Sequence, residues 1–160
     1  MHCGASEGFM KLGQCEIATS LPVFFYLLCA NESNQLSRRQ LILLLQPSFS
    51  EDGSNVRKYE NDTYTAFSKY VREAASGRRG RITLESILQF AMGMDEEPQP
   101  SIQFVVANEG IKWSFIPKAN TCSKTMFLPF RGFHSRSLPA EKELFEFYDI
   151  AFTNTFFGLS

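Results

Sequence analysis

The sequence predicts an α+β fold: a small mixed or antiparallel sheet of three to four strands packed with helices, preceded by a helical N-terminal segment. Three observations carry this. Tyr64, Phe67, Val71 and Ala74 recur at helical spacing, as do Leu144, Phe145, Tyr148 and Phe152. Between them, Ile102, Phe104 and Val106 alternate with Gln103, Val105 and Ala107, the period-two pattern of a strand. The order from about residue 60 to 153 is helix, helix, three strands, helix, which is the α+β class.

The elements follow in chain order. Residues 1–20 are weakly patterned, with glycines at 4, 8 and 13. Leu21 to Ala30 reads as a buried helix with Ser20 as its cap and Pro22 in its first turn. Ser37 caps a further helix through Leu41 to Leu45, stopped by Pro47. Residues 48–58 concentrate turn formers and read as a linker, dividing a helical piece, 1–47, from a main domain, 59–160. A helix spans Asn61 to Ala75. The arginine-containing stretch Ser76–Arg81 breaks it and reads as a solvated turn. Thr83 caps the next helix, with Leu84, Ile87, Leu88 and Ala91 inward and Gly93 just past its end. The strand at 102–107 is expected to turn at Asn108-Glu109-Gly110 into a second strand, Lys112 to Ile116. A third strand runs from Lys124 to Pro129, and Phe130 to Arg136 is a loop holding His134. Ser137 caps the last helix, with Pro139 in its first turn.

Composition narrows the function classes. The chain has 160 residues, is 44% hydrophobic and 21% charged, and carries a net charge of −1. No global field therefore favours nucleic acid or an anionic membrane, and neither is expected as a partner. Sixteen phenylalanines predict an aromatic core or an aromatic contact surface. The four cysteines, Cys3, Cys15, Cys29 and Cys122, form no Cys-x-x-Cys pair, and there are two histidines. No metal site of ordinary spacing and no cofactor is expected. No basic-then-apolar leader opens the chain, and the apolar run 21–30 is about half a membrane span. The expected setting is a reducing intracellular compartment, cytoplasmic or nuclear, where the sequons at Asn31 and Asn61 are chance matches.

Cys122 stands apart from the other cysteines. It lies in Asn120-Thr121-Cys122-Ser123, a polar cluster between two apolar runs that each carry a proline, Pro117 and Pro129. That places it on a turn or strand entry, open to a partner. A thiolate there is both a strong nucleophile and a good leaving group, the two properties needed to accept an acyl group and pass it to an amine. A cysteine without such flanks is most often a small buried hydrophobe. His134 gives a second arrangement, a Cys–His hydrolase pair, if the fold brings it to Cys122.

The stretch from Ile116 to Pro129 resembles the active-site segment of the HECT ubiquitin ligases, roughly Leu-Pro-x-Ala-x-Thr-Cys-x-x-x-Leu-x-Leu-Pro. Pro117, Ala119, Thr121, Cys122, Leu128 and Pro129 match it; Ile116 and Met126 stand where the family has Leu; Asn120 stands where it often has His. Ser86 to Gly93 resembles a helix end of that family, and Phe156 to Ser160 resembles its C-terminal close. The resemblance covers roughly residues 50–160. It implies the small catalytic lobe of a ubiquitin-protein ligase, with 1–47 as a remnant of the large lobe and 48–58 as the hinge. Cys122 would take ubiquitin as a thioester and pass it to a substrate lysine, with Asn120, Thr121 and Phe157 supporting. The implied partners are ubiquitin, a protein substrate, and a ubiquitin-conjugating enzyme recruited through a lobe largely absent here. The alternative is a catalytically silent HECT-like module that binds ubiquitin or a ligase partner.

Overall fold

The computed structural model describes residues 36–92, 100–108, 114–132, 134 and 137–153. The expectations for the helix at 21–30, for Cys3, Cys15 and Cys29, for Gly93, and for Phe157 lie outside the described residues, as does most of the expected turn and second strand at 108–116. What is described belongs to one unit, Leu36–Ser160.

The fold is α+β, with a four-stranded mixed sheet. Helix α1 is Arg38–Leu44. Ser37 caps it with a reciprocal box: the Gln40 N–H donates to Ser37 Oγ, and the Ser37 N–H donates to Gln40 Oε1. Strand β1, Gln46–Ser48, follows at once. Leu41 and Leu45 are fully buried, and β1 is an edge strand of the sheet.

The segment expected as a linker is anchored at several points. Phe49 stacks on Phe104 with centroids 5.1 Å apart and meets Tyr64 edge-on at 5.5 Å. The buried carboxylate of Glu60 accepts from the Ser50 N–H at 2.8 Å and from Ser50 Oγ at 2.7 Å. Arg57 Nη1 donates to the Ser50 carbonyl, and its guanidinium covers the Phe49 ring at 4.2 Å. These contacts fix the start of helix α2, Asn55–Ala75, capped by Ser54. The helix starts six residues before the expected Asn61, because its first turns are set by this cap and by the Ser50 contacts of Glu60 and Arg57, and not by the apolar stripe. Phe67, Val71 and Ala74 are buried as expected.

Helix α3 is Leu84–Met92. Thr83 and Ser86 cap it reciprocally, and Leu84, Ile87, Leu88 and Ala91 are buried. Strand β2, Ser101–Ala107, lies parallel to β1 on one side. On its other side it lies parallel to β4, Thr125–Gly132. Strand β3, Lys118–Asn120, pairs antiparallel with β4, so the order is β1-β2-β4-β3. The expected hairpin from β2 into 112–116 is not formed: β2's neighbours are β1 and β4, and Ser114 to Ile116 is turn and bend.

Pro129 interrupts β4. Val105 pairs with Pro129 and Val106 with Arg131, leaving Phe130 as the extra residue of a bulge. Across from the bulge Val106 is exposed and Ala107 buried, so the expected alternation stops after Phe104. Helix α4 is Glu141–Thr153, with Leu144, Phe145, Tyr148 and Phe152 buried as expected. It begins after Ala140, not at Ser137, and its first backbone bond runs from the Leu144 N–H to the Ala140 carbonyl. Pro139 disfavours helical backbone at Leu138 and delays the start.

The helices meet in an aromatic core. Tyr70 lies edge-on to Tyr148 at 5.2 Å and to Phe145 at 5.3 Å, and Phe90 lies edge-on to Phe152 at 5.2 Å. At its margin, Arg79 corrects the reading of the arginine turn as solvated. Its guanidinium pairs with Asp149 and Glu73, donates to the Phe145 carbonyl, and lies over the Tyr70 and Phe145 rings. It ties the end of α2 to α4.

Candidate functional site

The turn between β3 and β4 is Thr121-Cys122-Ser123-Lys124. Its sequence dictates its shape. Asn120 accepts the Ser123 N–H on Oδ1 at 3.2 Å, a local side-chain-to-backbone bond three residues on. The Lys124 N–H donates to the Thr121 carbonyl at 3.4 Å and closes the loop. Lys124 then takes φ +48°, the one non-glycine left-handed residue among the described residues. That conformation costs a side-chain-bearing residue ~1 kcal/mol. It reverses the chain so that β4 can run back along β3.

The base of the turn is tied to the neighbouring strand. The Ser101 N–H donates to the Lys124 carbonyl at 2.9 Å. Thr125 Oγ1 donates to the Ser123 carbonyl at 3.1 Å and lies 3.4 Å from Ser101 Oγ. On either side, Pro117, Met126, Leu128 and Pro129 are buried. The apolar flanks seen in the sequence are thus anchors, and the polar cluster between them is the part left at the surface.

Cys122 is a free, exposed thiol at the tip of this turn. Thr121 beside it is half-exposed and Asn120 exposed. Asn120 therefore has a definite structural role: its carbonyl oxygen holds the backbone that carries the thiol. That role was legible in principle, since a short amide side chain in a polar turn tends to accept a nearby backbone N–H. The burial of Lys124, 1% exposed, had no signal in the sequence.

His134 is not brought to Cys122. It follows β4, whose other end begins at the cysteine turn, and a strand of this length separates the two by roughly 25 Å at ~3.3 Å per residue. A Cys–His pair is not formed. Among the described residues, no cluster of His, Cys, Asp or Glu could hold a metal ion, and no helix is long and apolar enough to cross a membrane.

No protein-family model matches the chain, and a search of curated proteins found no match.

Proposed function

We propose that the chain carries the thioester-forming lobe of a HECT-type ubiquitin-protein ligase, with Cys122 as the acyl acceptor. One observation carries the reading: Cys122 is exposed at the tip of a hydrogen-bonded turn whose flanks are the residues that match the family segment. A protein tail can reach such a thiol without a pocket. The turn also holds it in a defined place, which lowers the entropy lost on reaction.

The chemistry is two acyl transfers. The Cys122 thiolate attacks the C-terminal carbonyl carbon of ubiquitin held as a thioester on a conjugating enzyme. A new carbon–sulfur bond forms, and the donor cysteine leaves as its thiolate. A substrate lysine amine then attacks the same carbon. The isopeptide bond forms, the Cys122 thiolate leaves, and the amine proton passes to solvent. A reducing compartment, cytoplasmic or nuclear, keeps the thiol free for this.

One observation favours the second reading, a catalytically silent module that binds ubiquitin or a ligase partner. Asn120 is committed to the Ser123 N–H, and His134, the only histidine among the described residues, sits beyond the far end of β4. Among the described residues no imidazole stands by to take a proton.

The test is incubation with ubiquitin carrying a small-thiol thioester at its C-terminus, read on a gel with and without reductant. A reductant-sensitive adduct, lost in Cys122→Ala with an unchanged circular dichroism spectrum, is the expected result. No adduct, with Cys122 still alkylated by iodoacetamide, defeats the transferase reading and leaves the silent module.

A further inference from the structure

The described residues include eight arginines, in two sets. Arg57, Arg79 and Arg131 are engaged with neighbours, the last over the Phe130 ring at 5.5 Å. Arg38, Arg39, Arg72, Arg78 and Arg81 are exposed, and among the described residues their side chains make no ion pair or hydrogen bond.

The second set is gathered by the fold. Arg38 and Arg39 open α1. Just before them, the Leu36 N–H donates to Glu85 Oε1 at 3.3 Å, in the first turn of α3. Arg81 lies just ahead of that helix. The Arg78 N–H donates to the Glu73 carbonyl at 3.0 Å, which sets it against the last turn of α2, where Arg72 sits. The starts of α1 and α3 and the end of α2 thus share one end of the fold. Glu73 and Asp149 there pair with Arg79, while Glu85 accepts the Leu36 N–H and keeps its charge among the five exposed arginines. The positive charge is local, because the chain as a whole is −1.

An apolar side chain stands within the same surface. Leu43 is 63% exposed and lies one helical turn after Arg39, on the same side of α1. We infer that this end of the fold is a docking surface for an acidic protein segment bearing an apolar anchor. Guanidinium forks match paired carboxylate oxygens, and arginine around an apolar contact is the usual composition of a protein interface. A single-stranded nucleic acid is less well served, because none of these residues offers an aromatic ring for base stacking. A phosphate backbone also has no use for Leu43.

The probe is a short fluorescein-labelled peptide of Asp, Glu and Leu, titrated with the full chain and read by fluorescence anisotropy at two salt concentrations. Saturable, salt-sensitive binding is expected. The Arg39→Glu/Arg81→Glu double variant should weaken it about tenfold. Leu43→Ser should weaken it with little change in salt dependence. Lys58→Glu/Lys142→Glu, which reverses exposed charges on other parts of the fold, should match wild type. Circular dichroism melts check that each variant is folded. Absence of binding overturns the inference, as does an equal loss in the Lys58/Lys142 control. Tighter binding to poly(U) RNA or to phosphatidylserine vesicles than to the peptide also overturns it.

Discussion

Tyr148→Phe is expected to stabilise the protein. Tyr148 is fully buried on α4, ringed by Phe67, Tyr70, Phe145 and Phe152, and its hydroxyl has no hydrogen-bond partner among the described residues. A buried hydroxyl left unsatisfied costs about 1–3 kcal/mol of desolvation. Removing the oxygen recovers that and opens a void on the order of 15 Å³, which costs ~0.4 kcal/mol at ~24 cal/mol per Å³. The net gain is ~1 kcal/mol, a rise in Tm of roughly 2–5 °C for a domain of this size. The neighbouring tyrosine supplies the opposite sign. Tyr70 OH donates to Asp149 Oδ1 at 2.8 Å, so Tyr70→Phe leaves a carboxylate short of a donor and should lose ~1–2 kcal/mol. Urea unfolding of the two variants, followed by circular dichroism with m held in view, measures both. A loss of 1 kcal/mol or more in Tyr148→Phe would show that the hydroxyl is satisfied, and the argument from its isolation would fail.

Three further outcomes are expected. Burial, first, and for Tyr70 its bond to Asp149, push the Tyr70 and Tyr148 phenols well above the ordinary tyrosine range. The folded state then holds these protons longer than the unfolded chain, so stability is intact below about pH 10 and falls above it, by ~1.4 kcal/mol per unit for each tyrosine; Tyr148→Phe should make the fall shallower in melts taken across that range. Arg79→Ala should cost ~2 kcal/mol in urea unfolding, and Arg79→Lys should recover little of it, because an ammonium cannot serve Asp149, Glu73 and the Phe145 carbonyl from one plane. Cys122→Ala should change stability by less than ~0.5 kcal/mol, since the side chain is exposed, and a larger loss would return the thiol to the core.

Local signals in the sequence survive in the structure. Ser37 and Thr83 cap their helices, the Phe67–Val71–Ala74 and Leu144–Phe145–Tyr148–Phe152 stripes face inward, and Cys122 sits on a turn. Each of these rests on neighbours within a few positions. What was not legible depends on partners far away in the chain. Asn108-Glu109-Gly110 reads as a hairpin turn, yet β2 takes β1 and β4 as parallel neighbours, and no local residue encodes that choice. Ser-Gly-Arg-Arg-Gly-Arg reads as solvated, and only the arrival of α4 with Asp149 gives Arg79 its partner. Glu60 looks like one more polar helix residue until the chain before α2 folds back and offers the two donors of Ser50. At the cysteine turn, the exposure of the thiol followed from its flanks, whereas the left-handed Lys124 is a product of the strand reversal itself.

The position of β1 bears on how the chain is synthesised. Its partner β2 leaves the ribosome about fifty residues later, which at ~5–20 residues per second is a wait of several seconds. During that time β1 has no strand to pair with. Pro47 at its centre has no N–H to offer a stranger, so the waiting edge is a poor template for aggregation. The same arrangement limits how the protein can be cut. A fragment beginning at residue 59 would keep every residue of the cysteine turn but strip the cover from β2, and should be sticky where the whole chain is not.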